Sequence, residues 1–194
     1  MSEKKNKKII IFSSGNGTNA EEIIKYFENK EEVNIQLVLT NNSNAGVLER
    51  AKNHKIPAIF YNNEAFEKKI VFEILNFLNP DLIVLAGFLR KIPDIIISKF
   101  PNKIINIHPA LLPNHGGKGM YGDKVHKSVI RSNDSKTGIT IHFVNGDYDK
   151  GEIILQKSIN VESKDSLESL SKRVQKLEHK FYPLIIEKLL DEQS

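Results

Sequence analysis

Lys8-Ile9-Ile10-Ile11-Phe12-Ser13-Ser14-Gly15-Asn16-Gly17-Thr18-Asn19-Ala20 stands near the start of the chain, and its order of residue types decides the fold. A short unbroken apolar run gives way to glycines among small polar residues, after which Ile23, Ile24 and Phe27 recur at helical spacing. This reads as strand, glycine turn, helix. A strand with no polar alternation is buried on both faces, as strands are in parallel sheets covered by helices.

The same unit repeats outward. Val33 to Leu39 is a second strand ending in Thr40-Asn41-Asn42, Ala45 to His54 a second helix, and Ala58 to Tyr61 a third strand. Glu64 to Leu78 reads as one helix stopped by Pro80, and Asp81 to Ala86 as a fourth, fully buried strand closed by Gly87. Apolar strands alternating with amphipathic helices indicate right-handed βαβ units, so the fold class is α/β with a mostly parallel sheet flanked by helices. Pro93 to Phe100 gives a short helix before a fifth strand that begins at Lys103. Lys124 to Arg131 is helical, and the strands Gly138 to Val144 and Glu152 to Val161 form an antiparallel hairpin appended to the sheet. Leu167 to Leu190 is helical, capped by Ser166, with Pro183 expected to kink or break it.

The 194 residues fit a single domain, 1–194, and no apolar run approaches the roughly 18 residues of a membrane span. The net charge of +4 leans on Lys4, Lys5, Lys7 and Lys8, so residues 1–7 are expected to form a disordered tail. No nucleic-acid-binding module or secretory signal accompanies that tail. The chain has no cysteine, which excludes disulfides and thiolate catalysis and fits a cytoplasmic protein. The expected partners are therefore small molecules rather than nucleic acid or a membrane.

Three stretches carry chemistry. In Gly15-Asn16-Gly17-Thr18-Asn19-Ala20 the turn amides at a helix start suit a phosphate. A dinucleotide would want an acidic residue after the second strand, where Thr40-Asn41-Asn42 stands instead, so a phosphomonoester is the better ligand. In Asn106-Ile107-His108-Pro109 an amide and an imidazole two positions apart leave one face of a strand that Pro109 then ends. A fixed hydrogen-bond donor beside a group that exchanges protons near neutrality suits acyl transfer. Ala86-Gly87-Phe88-Leu89-Arg90 ends the neighbouring strand, where backbone groups can read a flat heterocycle while Leu89 and Ile92 cover it. Asp147 and Asp149 lie in the last hairpin turn; either is an ordinary turn residue, and either could fold back to His108 and raise its pKa. His54, His115, His126, His142 and His179 show no zinc-ligand spacing, and His142, alternating with Ile141 and Phe143, reads as a packed or supporting histidine. The glycine-rich Asn114 to Asp123 reads as a mobile loop, the kind that serves as a lid.

With these residues in view, the chain resembles the folate-dependent formyltransferases over nearly its whole length. The resemblance runs through Ser14-Gly15-Asn16-Gly17-Thr18-Asn19, Leu85-Ala86-Gly87-Phe88-Leu89-Arg90, Asn106-Ile107-His108-Pro109-Ala110-Leu111-Leu112-Pro113, His142-Phe143-Val144, Asp149-Lys150-Gly151, Ile154-Leu155-Gln156, Arg173-Val174-Gln175, Glu178-His179 and Tyr182-Pro183. The glycine turn and the Arg173 block point to the branch of the family acting on glycinamide ribonucleotide. The resemblance implies a mixed sheet with a Rossmann-like N-terminal half, the formyltransferase fold. It implies transfer of a formyl group from 10-formyltetrahydrofolate, as cosubstrate and without a metal, to the primary amine of glycinamide ribonucleotide in de novo purine biosynthesis. It also implies Asn106, His108 and Asp149 as the catalytic trio, with Asp149 raising the pKa of His108. Gly17, Thr18, Asn19 and Glu178 would bind the nucleotide, and Leu89, Arg90, Lys91, Ile92 and Asn106 the folate. A formyltetrahydrofolate hydrolase and a noncatalytic nucleotide-binding module are the alternatives. Two positions depart from the family pattern: Asn63 stands where an arginine can meet the folate tail, with Lys68 or Lys69 as substitutes, and His115 stands where an aromatic residue is common.

Overall fold

A computed structural model describes residues 6–192. The strands are β1 (Lys7–Phe12), β2 (Val33–Thr40), β3 (Ala58–Phe60), β4 (Leu82–Leu85), β5 (Ile104–His108), β6 (Lys136–Phe143) and β7 (Ile153–Asn160). The helices are α1 (Thr18–Phe27), α2 (Val47–Asn53), α3 (Asn63–Glu67), α4 (Ile70–Leu78), α5 (Asp94–Lys99), α6 (Asp123–Arg131) and α7 (Leu167–Asp191). One seven-stranded sheet runs in the order β3-β2-β1-β4-β5-β6-β7. The strands from β3 to β5 are parallel, while β6 and β7 are antiparallel additions, as the alternating pattern of their residues implied.

The two-residue period of β1 explains why its sequence is apolar throughout. Ile9 and Ile11 enter a core shared with Ile23 of α1 and Ile186 of α7, whereas Ile10 and Phe12 enter a second core with Val71 and Leu75 of α4 and Ile96 of α5. Both faces are covered, and a polar residue on either would lose its water. On β5, Ile105 and Ile107 join the first core, and Ile104 joins the second. Asn106 and His108 follow Ile104 on its face, beyond the end of the apolar packing.

The strand order puts the exits of β1 and β4 side by side with α1 and α5 leaving to different parts of the sheet, the geometry in which open α/β sheets hold ligands at the carboxyl edge. Gly17, at the start of α1, adopts φ 78° and lies so close to α2 that a Cβ there would sit 2.5 Å from the Val47 Cβ. Glycine is required by both conformation and space.

Three local expectations change. The helix expected over Glu64 to Leu78 is two helices: Lys69 has φ 63°, and α3 turns off so that Phe66 stacks on Tyr61 at 5.3 Å. Pro183 does not break α7, which runs continuously from Leu167 to Asp191 with Pro183 buried inside it and Ser166 accepting from the Ser169 N–H at its start. Of the tail expected over residues 1–7, residues 1–5 lie outside the described residues, and Lys7 already belongs to β1, its N–H donating to the Glu32 carbonyl at 2.8 Å.

Candidate active site

The exits of β1, β4 and β5 open into a cavity of about 400 Å³, within the range of small-molecule sites. Its floor is the end of β5. Asn106 stands opposite His142 of β6, and His108 opposite Thr140, so the pleat sets the four side chains on one face. Asn106 donates through Nδ2 to His142 Nε2 at 3.1 Å. His142 Nδ1 lies 2.8 Å from the Phe143 carbonyl, which can only accept, so Nδ1 carries the proton and Nε2 accepts.

The turn between β6 and β7 folds back over this face. Asp149 places Oδ2 3.6 Å from His108 Nδ1 and Oδ1 3.6 Å from His142 Nε2, both beyond hydrogen-bond distance and ion pairs only when the ring concerned is protonated. Its Oδ1 also takes a long contact of 3.5 Å from Asn106 Nδ2, and its Oδ2 accepts the Gly117 N–H at 2.8 Å. Asp147 instead lies exposed beside Lys150. The choice between the two aspartates is thereby resolved geometrically. Gly151 closes the turn: a Cβ there would fall 1.7 Å from the Phe143 carbonyl oxygen.

Electrostatics at His108 run against a simple carboxylate-imidazole pair. Burial, the dominant effect, pulls its pKa below the ordinary value, while Asp149 and the His115 carbonyl push it up and His142 pushes it down. The expectation that Asp149 raises this pKa holds for its own contribution, and desolvation outweighs it. The Asp149 carboxyl is held low: burial works to raise it, but His142, His108 and the Gly117 N–H together prevail.

Around this centre the structure distributes the remaining candidates. Asn19 Nδ2 donates to Glu178 Oε2 at 3.0 Å, and both line the cavity. Burial raises the Glu178 carboxyl to about 7, partly opposed by Asn19. Gln175 donates to Thr18 Oγ1 at 3.0 Å, so α7 and the start of α1 are tied at two points. Gly17 and Thr18 lie at the α1 start without themselves lining the cavity, which Gly15 and Asn19 do. At the end of β2, Asn41 accepts from the Ser14 hydroxyl at 2.6 Å and Asn42 donates to the Ser14 carbonyl, so amides occupy the place where a ribose-binding acid would stand.

On the other side Leu89, Arg90, Lys91 and Ile92 all line the cavity. Leu89 is 46% exposed and Ile92 only 2%, so Leu89 offers apolar surface whereas Ile92 mainly packs the core. The Leu89 N–H donates to Ser14 Oγ at 3.0 Å, fixing this segment to the β1 turn. Arg90 donates to Asn63 Oδ1. Lys68 pairs with Glu64 at 2.6 Å, and neither Lys68 nor Lys69 lines the cavity.

His142 is the packed, supporting histidine that its place on β6 suggested, touching both Asn106 and Asp149, whereas the roles of Thr140 and Gln156 were not foreseen. Thr140 Oγ1 donates to the Ala110 carbonyl at 2.7 Å and accepts from the Leu112 N–H at 3.0 Å, while Gln156 donates to the Leu112 carbonyl at 2.9 Å. These bonds hold the segment after Pro109 against the sheet. The signal was the alternation of polar residues along β6, but their partners depend on a register that is invisible in one strand. His126 also lines the cavity, whereas His54 and His179 do not. Among the described residues no group of three or more His, Asp or Glu side chains is arranged to hold a metal ion.

Comparison with known proteins places this geometry in context. The formyl transferase family model matches residues 7–186. The chain is 37% identical to the phosphoribosylglycinamide formyltransferase of Bacillus subtilis, over 95% of each protein. It is 36% identical to the chloroplastic phosphoribosylglycinamide formyltransferase of Arabidopsis thaliana, covering 98% of this chain and 68% of the plant protein. Among solved structures, the phosphoribosylglycinamide formyltransferase of Bacillus halodurans superposes with a TM-score of 0.87 at 34% identity, over 97% of both chains. That of Anaplasma phagocytophilum gives 0.88 at 30% identity, over 96% of this chain and 88% of the other.

Proposed function

The chain belongs to the formyl transferase family, and on that premise we propose that it transfers the formyl group of 10-formyltetrahydrofolate to the primary amine of glycinamide ribonucleotide, releasing tetrahydrofolate, in de novo purine biosynthesis. The reading covers the whole of 1–194 as one formyltransferase domain and takes the protein to act in the cytoplasm. The observation that carries it is the convergence of Asn106, His108 and Asp149 on one cavity that also holds the β1 turn and the β4 exit.

In this reading the neutral amine attacks the formyl carbon and forms a C–N bond as the carbonyl π pair moves to oxygen. Asn106 Nδ2 and protonated His108 stabilise that oxyanion. His108 Nε2 is taken by a backbone carbonyl at 2.9 Å, but Nδ1 sits 3.6 Å from Asp149 and is free of a short hydrogen bond, so Nδ1–H is the ring proton that can turn to the substrate. Asp149 favours the charged imidazole against the burial that opposes it. Collapse of the adduct breaks the bond to the folate nitrogen, which gains a proton while the attacking amine loses one.

Gly17, Thr18 and Asn19 take the nucleotide phosphate at the positive end of α1, where the first-turn N–H groups lack helical partners. Glu178, beside Asn19, holds donor groups of the nucleotide. Leu89, Arg90, Lys91 and Ile92, together with Asn106, line the way to the folate, with Arg90 and Asn63 at the end of it.

The test follows tetrahydrofolate formation from 10-formyltetrahydrofolate with and without glycinamide ribonucleotide. Turnover that depends on the amine is the expected result. Turnover without it indicates hydrolysis, and none in either case leaves only nucleotide binding.

A further inference from the structure

The segment His115 to Gly117 touches the buried pair from two sides. The His115 carbonyl lies 2.9 Å from His108 Nε2, and the Gly117 N–H donates to Asp149 Oδ2 at 2.8 Å. The segment has no helix or strand, only turns such as the Met120 N–H to Gly117 carbonyl bond, and His115 adopts φ 56°, a conformation uncommon for a residue with a side chain. The His115 ring supplies the anchor. Its Nε2 lies 2.7 Å from Asp134 Oδ2, just beyond α6, and its Nδ1 lies 2.8 Å from Ser128 Oγ within α6.

We propose that His115 is a positioning residue: its ring, clamped between Ser128 and Asp134, holds its own backbone carbonyl on His108 and the Gly117 amide on Asp149. The proposal rests on the catalytic reading of His108 given above. The chemistry of the clamp is tolerant. A carboxylate only accepts, so His115 Nε2–H donates to Asp134, and the Ser128 hydroxyl can donate to a bare Nδ1 or accept from a protonated one. Both ring forms keep both bonds.

The consequence for His108 follows from the same donor rules. A carbonyl only accepts, so His108 Nε2 carries a proton in either state. In the neutral ring the Nδ1 lone pair lies 3.6 Å from the Asp149 carboxylate, a repulsion that protonation of Nδ1 replaces with attraction. The carbonyl thereby fixes the tautomer for which gaining a proton is most favourable. The charged and titratable groups facing His108 are Asp149 from the hairpin turn, His142 from β6, His126 from α6 and His115 itself. Of these only Asp149 and the His115 carbonyl favour the imidazolium.

The test uses the full chain with His115→Phe, His115→Gly, Asp134→Ala and Asp134→Asn, and two readouts: the pH profile of kcat, and the titration of the His108 ring followed by NMR. His115→Gly frees the backbone to adopt its positive φ while deleting the ring, and Asp134 is surface-accessible, so folding is retained in at least those variants. Loss of the clamp is expected to lower kcat about threefold to tenfold near neutral pH with KM for both substrates little changed, the loss growing as pH rises because His108 releases its proton earlier. Asp134→Asn keeps an acceptor oxygen and is expected to recover most of the rate that Asp134→Ala loses. A His108 titration unchanged in His115→Gly and Asp134→Ala overturns the clamp, whatever the rate does. A titration that moves while the rate profile does not move upholds the clamp and overturns the catalytic reading of His108.

Discussion

Asp149 approaches His108 from a turn that closes only because Gly151 has no side chain. The Oδ2 to Nδ1 distance is 3.6 Å, and the carboxylate is held there by the Gly117 N–H. Asp149→Asn keeps the shape and removes the charge that opposes desolvation of the imidazolium, so the His108 pKa falls further below its ordinary value. A reaction that uses protonated His108 then loses its alkaline limb to lower pH. The expected cost in kcat is on the order of a hundredfold near neutrality and smaller in acid, read from the pH-rate profile.

Among the described residues the Asn106 side chain bonds to other side chains, those of His142 and Asp149, so its truncation removes a donor from the cavity without opening the sheet. Asn106→Ala is expected to lower kcat by about a hundredfold or more, corresponding to the roughly 2.7 to 4 kcal/mol seen for oxyanion donors. Thermal unfolding should stay close to the parent. Near-parental turnover would remove Asn106 from the mechanism.

Glu178 offers a separation of stability from function. Burial pushes its carboxyl up to about 7 in the folded chain, against an ordinary 4.5, so the native state binds the proton more tightly than the unfolded one. The stabilising difference is complete below pH 4.5 and is lost as pH rises through about 7, where the charged group must sit desolvated. Glu178→Gln should therefore be more stable than the parent above neutrality, by on the order of 1 to 2 kcal/mol in denaturant titrations, and no more stable in acid. Its KM for the nucleotide should rise.

Gly151→Ala tests the turn itself. The added methyl would lie 1.7 Å from the Phe143 carbonyl oxygen, so the hairpin must shift. A loss of about 1 to 3 kcal/mol is expected, and kcat should fall with it as Asp149 withdraws from His108. A variant of parental stability would show that β6 and β7 pair less closely than they do here.

Tyr182 pins α7 under the site: the single O–H of its buried side chain is shared between the carbonyls of Leu85 and Ile105, at 3.0 and 3.2 Å. Tyr182→Phe leaves both strand ends without that donor and should cost about 1 kcal/mol or somewhat more in chemical denaturation. The effect on turnover should be small.

Much of this architecture was legible in local patterns. The parallel half of the sheet follows from apolar runs too uniform to have a wet face, and the hairpin from alternation in Gly138 to Val144. Pro183 and Lys69 misled for a common reason. Pro183 lies on the buried face of α7 and is carried by the packing of Tyr182 and Ile186 on the core, and the break at Lys69 answers to Phe66 stacking on Tyr61, both tertiary effects that override local preference.

At the site the division is sharper. Local pattern was enough to show that Asn106 and His108 share a face, because a pleat repeats every two residues, and that Gly15 to Ala20 turns from a strand into a helix with free first-turn amides, because glycines and small polar residues stand between an apolar run and a helical repeat. The family resemblance named Asp149 over Asp147, and the fold then brings it within 3.6 Å of the imidazole; that His142 joins Asn106 across β5 and β6, and that His115 is tied to Ser128 and Asp134, came only from the tertiary structure. Those contacts depend on the register between strands and on how a turn and a loop close over them. Such relations are set by the packing of residues far apart in the chain, and no local pattern encodes them.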